Sequence, residues 1–221
     1  EIKIAGEHSI KLDRRFAGNQ ASTLAASAPA VPISLLLKGE FDGLDITGIN
    51  VSVKVSDGAK TASLERLTTD RTQVRPGETI ELTTYSRTDS GKVIVQKTPV
   101  TIPKDVATGT LSIVVGDGSA VQEKLPAQQF VAKTAGELID TINSLKRSDR
   151  LYVLGIRTST GAIIGSSEMP NLPPSVLATI NNDRSAGGTK PTVQTVLIDQ
   201  QVSPTDYIVS GQQTLSIEVV R

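Results

Sequence analysis

The sequence has no cysteine, no tryptophan and a single histidine, His8. Without thiols there can be no disulfides, thiolate nucleophiles or sulfur-rich metal sites. With one imidazole, multi-histidine zinc centres are excluded, and a Ser-His-Asp triad would have to be built on His8. That residue lies in a polar N-terminal stretch, and neither a G-x-S-x-G elbow nor an S-x-x-K pair occurs, so it reads as a surface histidine. Aromatic residues are limited to three Phe and three Tyr. The core must therefore be aliphatic, and the aromatic platforms that hold sugar rings are scarce. Charge of one sign is also lacking, since 23 Lys and Arg balance 23 Asp and Glu. A neutral chain projects no broad field for a polyanion, and its densest basic groups are only the pairs Arg14-Arg15 and Lys146-Arg147, so nucleic acid is not an expected partner. The longest apolar run, Ile33 to Leu37, is interrupted by Ser34 and is too short to cross a bilayer, so no transmembrane segment is expected.

What is present is 221 residues with 38% hydrophobic side chains, enough for one large β-domain or two small ones. Short extended patterns, Ile2/Ile4 and Ile10/Leu12, open the chain, and Ala17 to Pro32 is Ala-, Ser- and Pro-rich and reads as a connecting segment. Ile33 to Leu37 fits a helical turn or a buried strand equally well. The clearest period-two signal follows: Ile49, Val51, Val53 and Val55 alternate with polar residues, as in a strand with one buried face, and Asp57-Gly58 supplies a turn. Further strands carry Ala62/Leu64, Ile80/Leu82, Val93/Val95, Val100/Ile102 and Leu111/Ile113/Val115. Their turns are Arg75-Pro76-Gly77-Glu78, Asp89-Ser90-Gly91 and Gly116-Asp117-Gly118. Beyond them, Thr134 to Glu137 has capping-box spacing before a helix predicted over 135–147, with Leu138, Ile139, Ile142 and Leu145 on its apolar stripe. Leu151, Val153 and Ile156 suggest a strand, Thr160-Gly161 a turn into Ile163-Ile164, and Pro173-Pro174 a short helix bearing Val176, Leu177 and Ile180. Strands are expected at 193–202 and 214–220.

The fold class expected is mainly β with minor α: an antiparallel Ig-like β-sandwich followed by a small α+β region. The expected division is an N-terminal arm with short strands at 1–39, the sandwich at 40–118, and the α+β region with C-terminal strands at 119–221. Asp57, Asp89 and Asp117 lie beside turn glycines without EF-hand spacing, and are read as turn residues rather than calcium ligands. No phosphate loop is present. No catalytic, cofactor-binding or metal residue is assigned, and no cofactor is expected.

Several phrases together resemble the region downstream of the peptidase domain in SpoIVB-type serine-peptidase-like exported bacterial proteins. They are Val74-Arg75-Pro76-Gly77-Glu78, the stretch from Ile102-Pro103-Lys104-Asp105 to Leu111, Val115 to Gly118, Ser148 to Val153, and Leu172 to Leu177. The resemblance covers roughly residues 40–221. It implies an exported, envelope-associated protein, periplasmic or extracellular, and carries over no catalytic residue, because that family's G-x-S-G-type nucleophile segment is absent. The expected function is a non-catalytic accessory module that docks a protein partner or an upstream domain of the same polypeptide. The chain begins with Glu1 and not Met, which fits a processed or partial product. The alternatives are a structural subunit of an extracellular homo-oligomeric assembly and a hydrolase without a recognisable motif. Binding is expected through edge strands or through the loops 86–92, 103–109, 157–162 and 184–192.

Overall fold

A computed structural model describes residues 1–5, 8–39, 41, 44–58, 60–125, 132, 134–164, 167–170, 173, 175 and 192–221. The protein is mainly β, with several sheets. A small antiparallel sheet has the order β2-β1-β3, from β1 (Ile2–Ile4), β2 (His8–Ile10) and β3 (Ile46–Ile49). Its apolar face meets two helices, α2 (Ala30–Lys38) and α4 (Ala135–Ser144). Ile2, Ile4 and Ile10 pack there with Leu36, Ile139 and Ile142 in one buried cluster. The hydroxyl of Thr134 accepts a bond from Glu137 N at 3.2 Å, so the helix begins where the capping-box spacing places it. It ends three residues earlier than predicted. Leu145 leaves helical geometry and is exposed, and Lys146-Arg147 lie beyond the last turn.

The second sheet has four strands in the order β12-β4-β6-β7: β4 (Thr61–Thr69), β6 (Thr79–Thr88), β7 (Val93–Thr101) and β12 (Ile208–Ser210). The third has the order β10-β9-β8-β13-β5, with β11 also paired to β9. It comprises β5 (Gln73–Val74), β8 (Gly109–Asp117), β9 (Leu151–Ile164), β10 (Ser167–Pro170), β11 (Thr192–Gln201) and β13 (Gln212–Val219). Alternation explains which side chains go inside. In β6, Ile80 and Leu82 are buried while Glu81 points out, and the inward row continues with Thr84, Ser86 and Thr88. Those inward hydroxyls find partners: Thr84 Oγ1 donates to Gln96 O at 3.3 Å, and Thr88 Oγ1 accepts from Lys92 N at 3.0 Å. One buried cluster draws Ala62, Ile80, Leu82 and Val100 from the four-stranded sheet and Ile113, Val115, Val153 and Ile217 from the larger one. Strands from both sides of residue 118 are sheet neighbours, since β8 lies between β9 and β13.

β8 and β9 are buried on both faces because α3 (Gly118–Gln122) covers the second one. Val121 of α3 packs there with Val114, Tyr152, Leu154 and Ile156. Asp117, read above as a turn residue, caps α3. Its Oδ1 accepts from Ser119 N and Ala120 N at 2.9 and 3.1 Å, and its Oδ2 accepts from Gly211 N at 2.8 Å.

Several expectations are corrected. The pairing is not wholly antiparallel: β12 runs parallel to β4, and β13 parallel to β5. Ala17 to Pro32 is not a plain connection, because α1 (Ala21–Ser27) and the start of α2 lie within it. Alanine-rich sequence favours helix, and Pro29 and Pro32 fall at the cap and first turn of α2, where proline is tolerated. The valine-rich strand expected beyond Ile49 is not formed, because β3 ends there. The last register pair is Ile2 with Ile49; Asn50 N bonds Glu1 O at 2.9 Å and the Glu1 ammonium bonds Asn50 O at 2.8 Å, and residues 51–55 pair with no strand among the described residues. Thr160-Gly161 is no turn, since β9 runs through it. The helix expected around Val176, Leu177 and Ile180 lies outside the described residues. The Arg75–Glu78 and Asp89–Gly91 turns form as predicted, with Gly77 at φ 86° and Gly91 at φ 84°.

Gly118 is required by packing, because a Cβ there would run into the backbone of Arg147. Gly118→Ala should therefore cost about 1–3 kcal/mol, the usual penalty of overpacking, as measured by urea unfolding against wild type.

Candidate functional site

The charged residues noted in sequence as two isolated basic pairs meet in space. Asp149 is their centre, with its side chain 1% exposed. It is reached by Arg15 Nε at 3.4 Å, Arg147 Nη2 at 2.9 Å and Arg150 Nε at 3.9 Å. Arg147 also donates Nε to the other carboxylate oxygen at 3.2 Å and Nη1 to Asp13 at 2.8 Å. Arg15 reaches further, donating to Thr205 O at 2.7 Å and to Asp149 O at 3.2 Å. Arg147 N donates to the Tyr152 hydroxyl at 2.9 Å, which satisfies a buried tyrosine. Lys146 Nζ contacts both oxygens of Asp199 at 2.6 Å and stands 4.8 Å from the centre of the Tyr152 ring.

Burial alone would push the Asp149 carboxyl up. The hydrogen bond and charge of Arg147, the charge of Arg150 and the hydrogen bond of Arg15 outweigh it, and the carboxyl is held below its ordinary value. The same pairing raises Arg147 despite its own burial. Arg14 is shifted the other way, lowered first by burial and then by the charge of Arg147. It makes no hydrogen bond or salt bridge among the described residues.

Beside this cluster lies a cavity of about 330 Å³, between the Lys11–Arg14 segment and the end of α4. Its charged lining is Lys11, Asp13, Arg14, Lys146, Arg147 and Asp199, so cations outnumber carboxylates. Its two carboxylates, Asp13 and Asp199, are each paired with a cation, Arg147 and Lys146. His8 is not part of it: it stands opposite Ile4 in the small sheet. No group of three or more His, Cys, Asp or Glu is gathered for a metal among the described residues.

A second feature is apolar. Among the described residues, every exposed large hydrophobic side chain except Val93, Val95 and Leu145 falls between 24 and 55. Val51, Val53 and Val55 are 61%, 59% and 89% exposed. Ala21–Lys38, spanning α1 and α2, is 11% buried with mean hydropathy 1.3, long and apolar enough by length and composition to cross a membrane.

Of the loops anticipated as binding elements, 86–92 is the β6–β7 hairpin and 103–109 links β7 to β8. The segment 157–162 belongs to β9, and 184–191 lies outside the described residues. Asp89 accepts from Thr61 Oγ1 at 3.1 Å, and Asp57 is exposed. Comparison with family models, with curated proteins and with solved structures returns no match to this chain.

Asp149→Ala would leave Arg15, Arg147 and Arg150 crowded without their counter-ion, and should cost about 3–5 kcal/mol in denaturant unfolding. Because the folded-state value is lowered, the stability Asp149 contributes is present above its unfolded value, about 3.9, and is lost as pH falls through the folded value. Asp149→Asn should therefore show a flatter acid limb in a stability–pH series than wild type.

Proposed function

We propose that this chain is a non-catalytic interaction module of an exported, envelope-associated protein, docking a protein partner or an upstream domain of the same polypeptide. The observation that carries the docking reading is the uncovered valine row after β3. Ile49 stands opposite Ile2, a buried residue, so both point to one face of the small sheet. An extended chain would carry Val51, Val53 and Val55 on that same face. The row has strand composition and strand period, and among the described residues no strand pairs with it. A strand supplied in line with β1, or a partner strand laid in the same place, would complete the ladder by strand addition. The export assignment rests on the resemblance to the SpoIVB-type proteins, and the cysteine-free composition is compatible with it.

We read the two larger sheets as the faces of an Ig-like β-sandwich, a reading supported by the buried cluster they share. The homo-oligomer alternative uses the same row, with a second copy supplying the strand.

Val51→Glu/Val53→Glu should leave the stability of the isolated chain within about 0.5 kcal/mol of wild type, since both side chains are exposed. A photo-crosslinking residue at position 53, in the protein expressed in its native host, should capture a protein segment. The same residue at exposed Thr72 should not. Capture of a second copy of the chain would favour the oligomer. No crosslink at 53, or equal crosslinking at both positions, would overturn the docking reading.

A further inference from the structure

We propose that the cavity between the Lys11–Arg14 segment and the Lys146–Arg147 turn binds a small oxyanion, the carboxylate or phosphate group of a ligand, with Arg14 as its main contact. The charges around the cavity do not cancel locally. Its two carboxylates are already committed, Asp13 to Arg147 at 2.8 Å and Asp199 to Lys146 at 2.6 Å. The Arg14 guanidinium and the Lys11 ammonium remain without a hydrogen bond or salt bridge among the described residues.

The other arginines of the region have a structural explanation, because Arg15, Arg147 and Arg150 surround Asp149. Arg14 has none. Burial and then the charge of Arg147 weigh against the charge of Arg14, and the charges of Asp149, Tyr152 and Asp13 offset them only in part without any of the three bonding it, so an anion in direct contact would stabilise it. A guanidinium presents a planar fork of N–H donors that matches the paired oxygens of a carboxylate or phosphate. Lys11 adds a second cation and Gln201 a neutral amide to the wall, while the Asn143 amide is held by Lys11 N and Ser9 O. At about 330 Å³ the cavity has room for a small molecule bearing the anionic group as well as the group itself. The protein's balance of 23 basic and 23 acidic residues does not oppose this, since the site works through contact and not through a long-range field.

The test is a titration of the whole chain, isotopically labelled, with inorganic phosphate and separately with acetate at low ionic strength, followed by amide chemical shifts. Saturable shifts confined to residues 11–14 and 143–147 are expected. They should weaken about tenfold or more in Arg14→Gln, as for the loss of a charge-assisted pair. Arg14→Lys, which keeps the charge and loses the fork, should fall between the two. A response to phosphate alone supports the site and assigns a phosphoryl ligand; a response to acetate, with or without phosphate, supports it and assigns a carboxylate. Arg14→Gln should melt at the wild-type temperature or above in the absence of either anion, because Arg14 holds nothing in place. No saturable response to either anion, or the same affinity in Arg14→Gln as in wild type, would overturn the proposal.

Discussion

Three guanidinium groups converge on the carboxylate of Asp149, and the placement of the N-terminal segment depends on that meeting. Arg15 comes from the stretch after β2, while Arg147 and Arg150 come from the turn between α4 and β9. Arg15 also ties down the carbonyl of Thr205, in the loop before β12. A buried carboxylate surrounded by cations is strongly directional in its consequences. With all partners in place it is satisfied, and with one missing the remaining like charges oppose one another at low dielectric. The arrangement therefore selects one position for the N-terminal segment against the β-rich body. The apolar contacts between the small sheet, α2 and α4 are aliphatic and less particular about register.

Part of this was legible in the sequence. Ile80/Leu82, Leu111/Ile113/Val115 and Leu215/Ile217/Val219 alternate where strands form, and the Pro76-Gly77 turn needs only local chemistry. Periodicity failed where a strand needs a neighbour. Val51 to Val55 shows the strand pattern as plainly as any segment, yet pairing depends on a partner that local sequence does not supply. The Ala-rich stretch failed for the converse reason: its prolines look like interruptions until their positions at the start of a helix are known. The charged site was half visible. Arg14-Arg15 and Lys146-Arg147 stand out in the sequence, but Arg15 and Asp149 lie 134 positions apart, and only the fold brings them together.

Net neutrality hides two local imbalances. One is electrostatic, the uncommitted cations at the cavity; the other is apolar, the exposed side chains between 24 and 55. Both involve the N-terminal elements, although the cavity is also walled by Tyr152 of β9 and by Asp199 and Gln201 of β11. The two larger sheets hold the largest buried cluster among the described residues.

The crossing at Gly211 bears on how the chain is made. β12 closes one edge of the four-stranded sheet against β4, and one residue later β13 enters the other sheet between β8 and β5. Gly211, at φ 98°, turns the backbone from one sheet to the other, and Asp117 holds its N–H. A nascent chain leaving the ribosome therefore carries two unfinished sheets until residues 208–219 emerge. Their mutual closure waits for that segment, and until then the flanks of β4 and β8 are open to pairing with other chains.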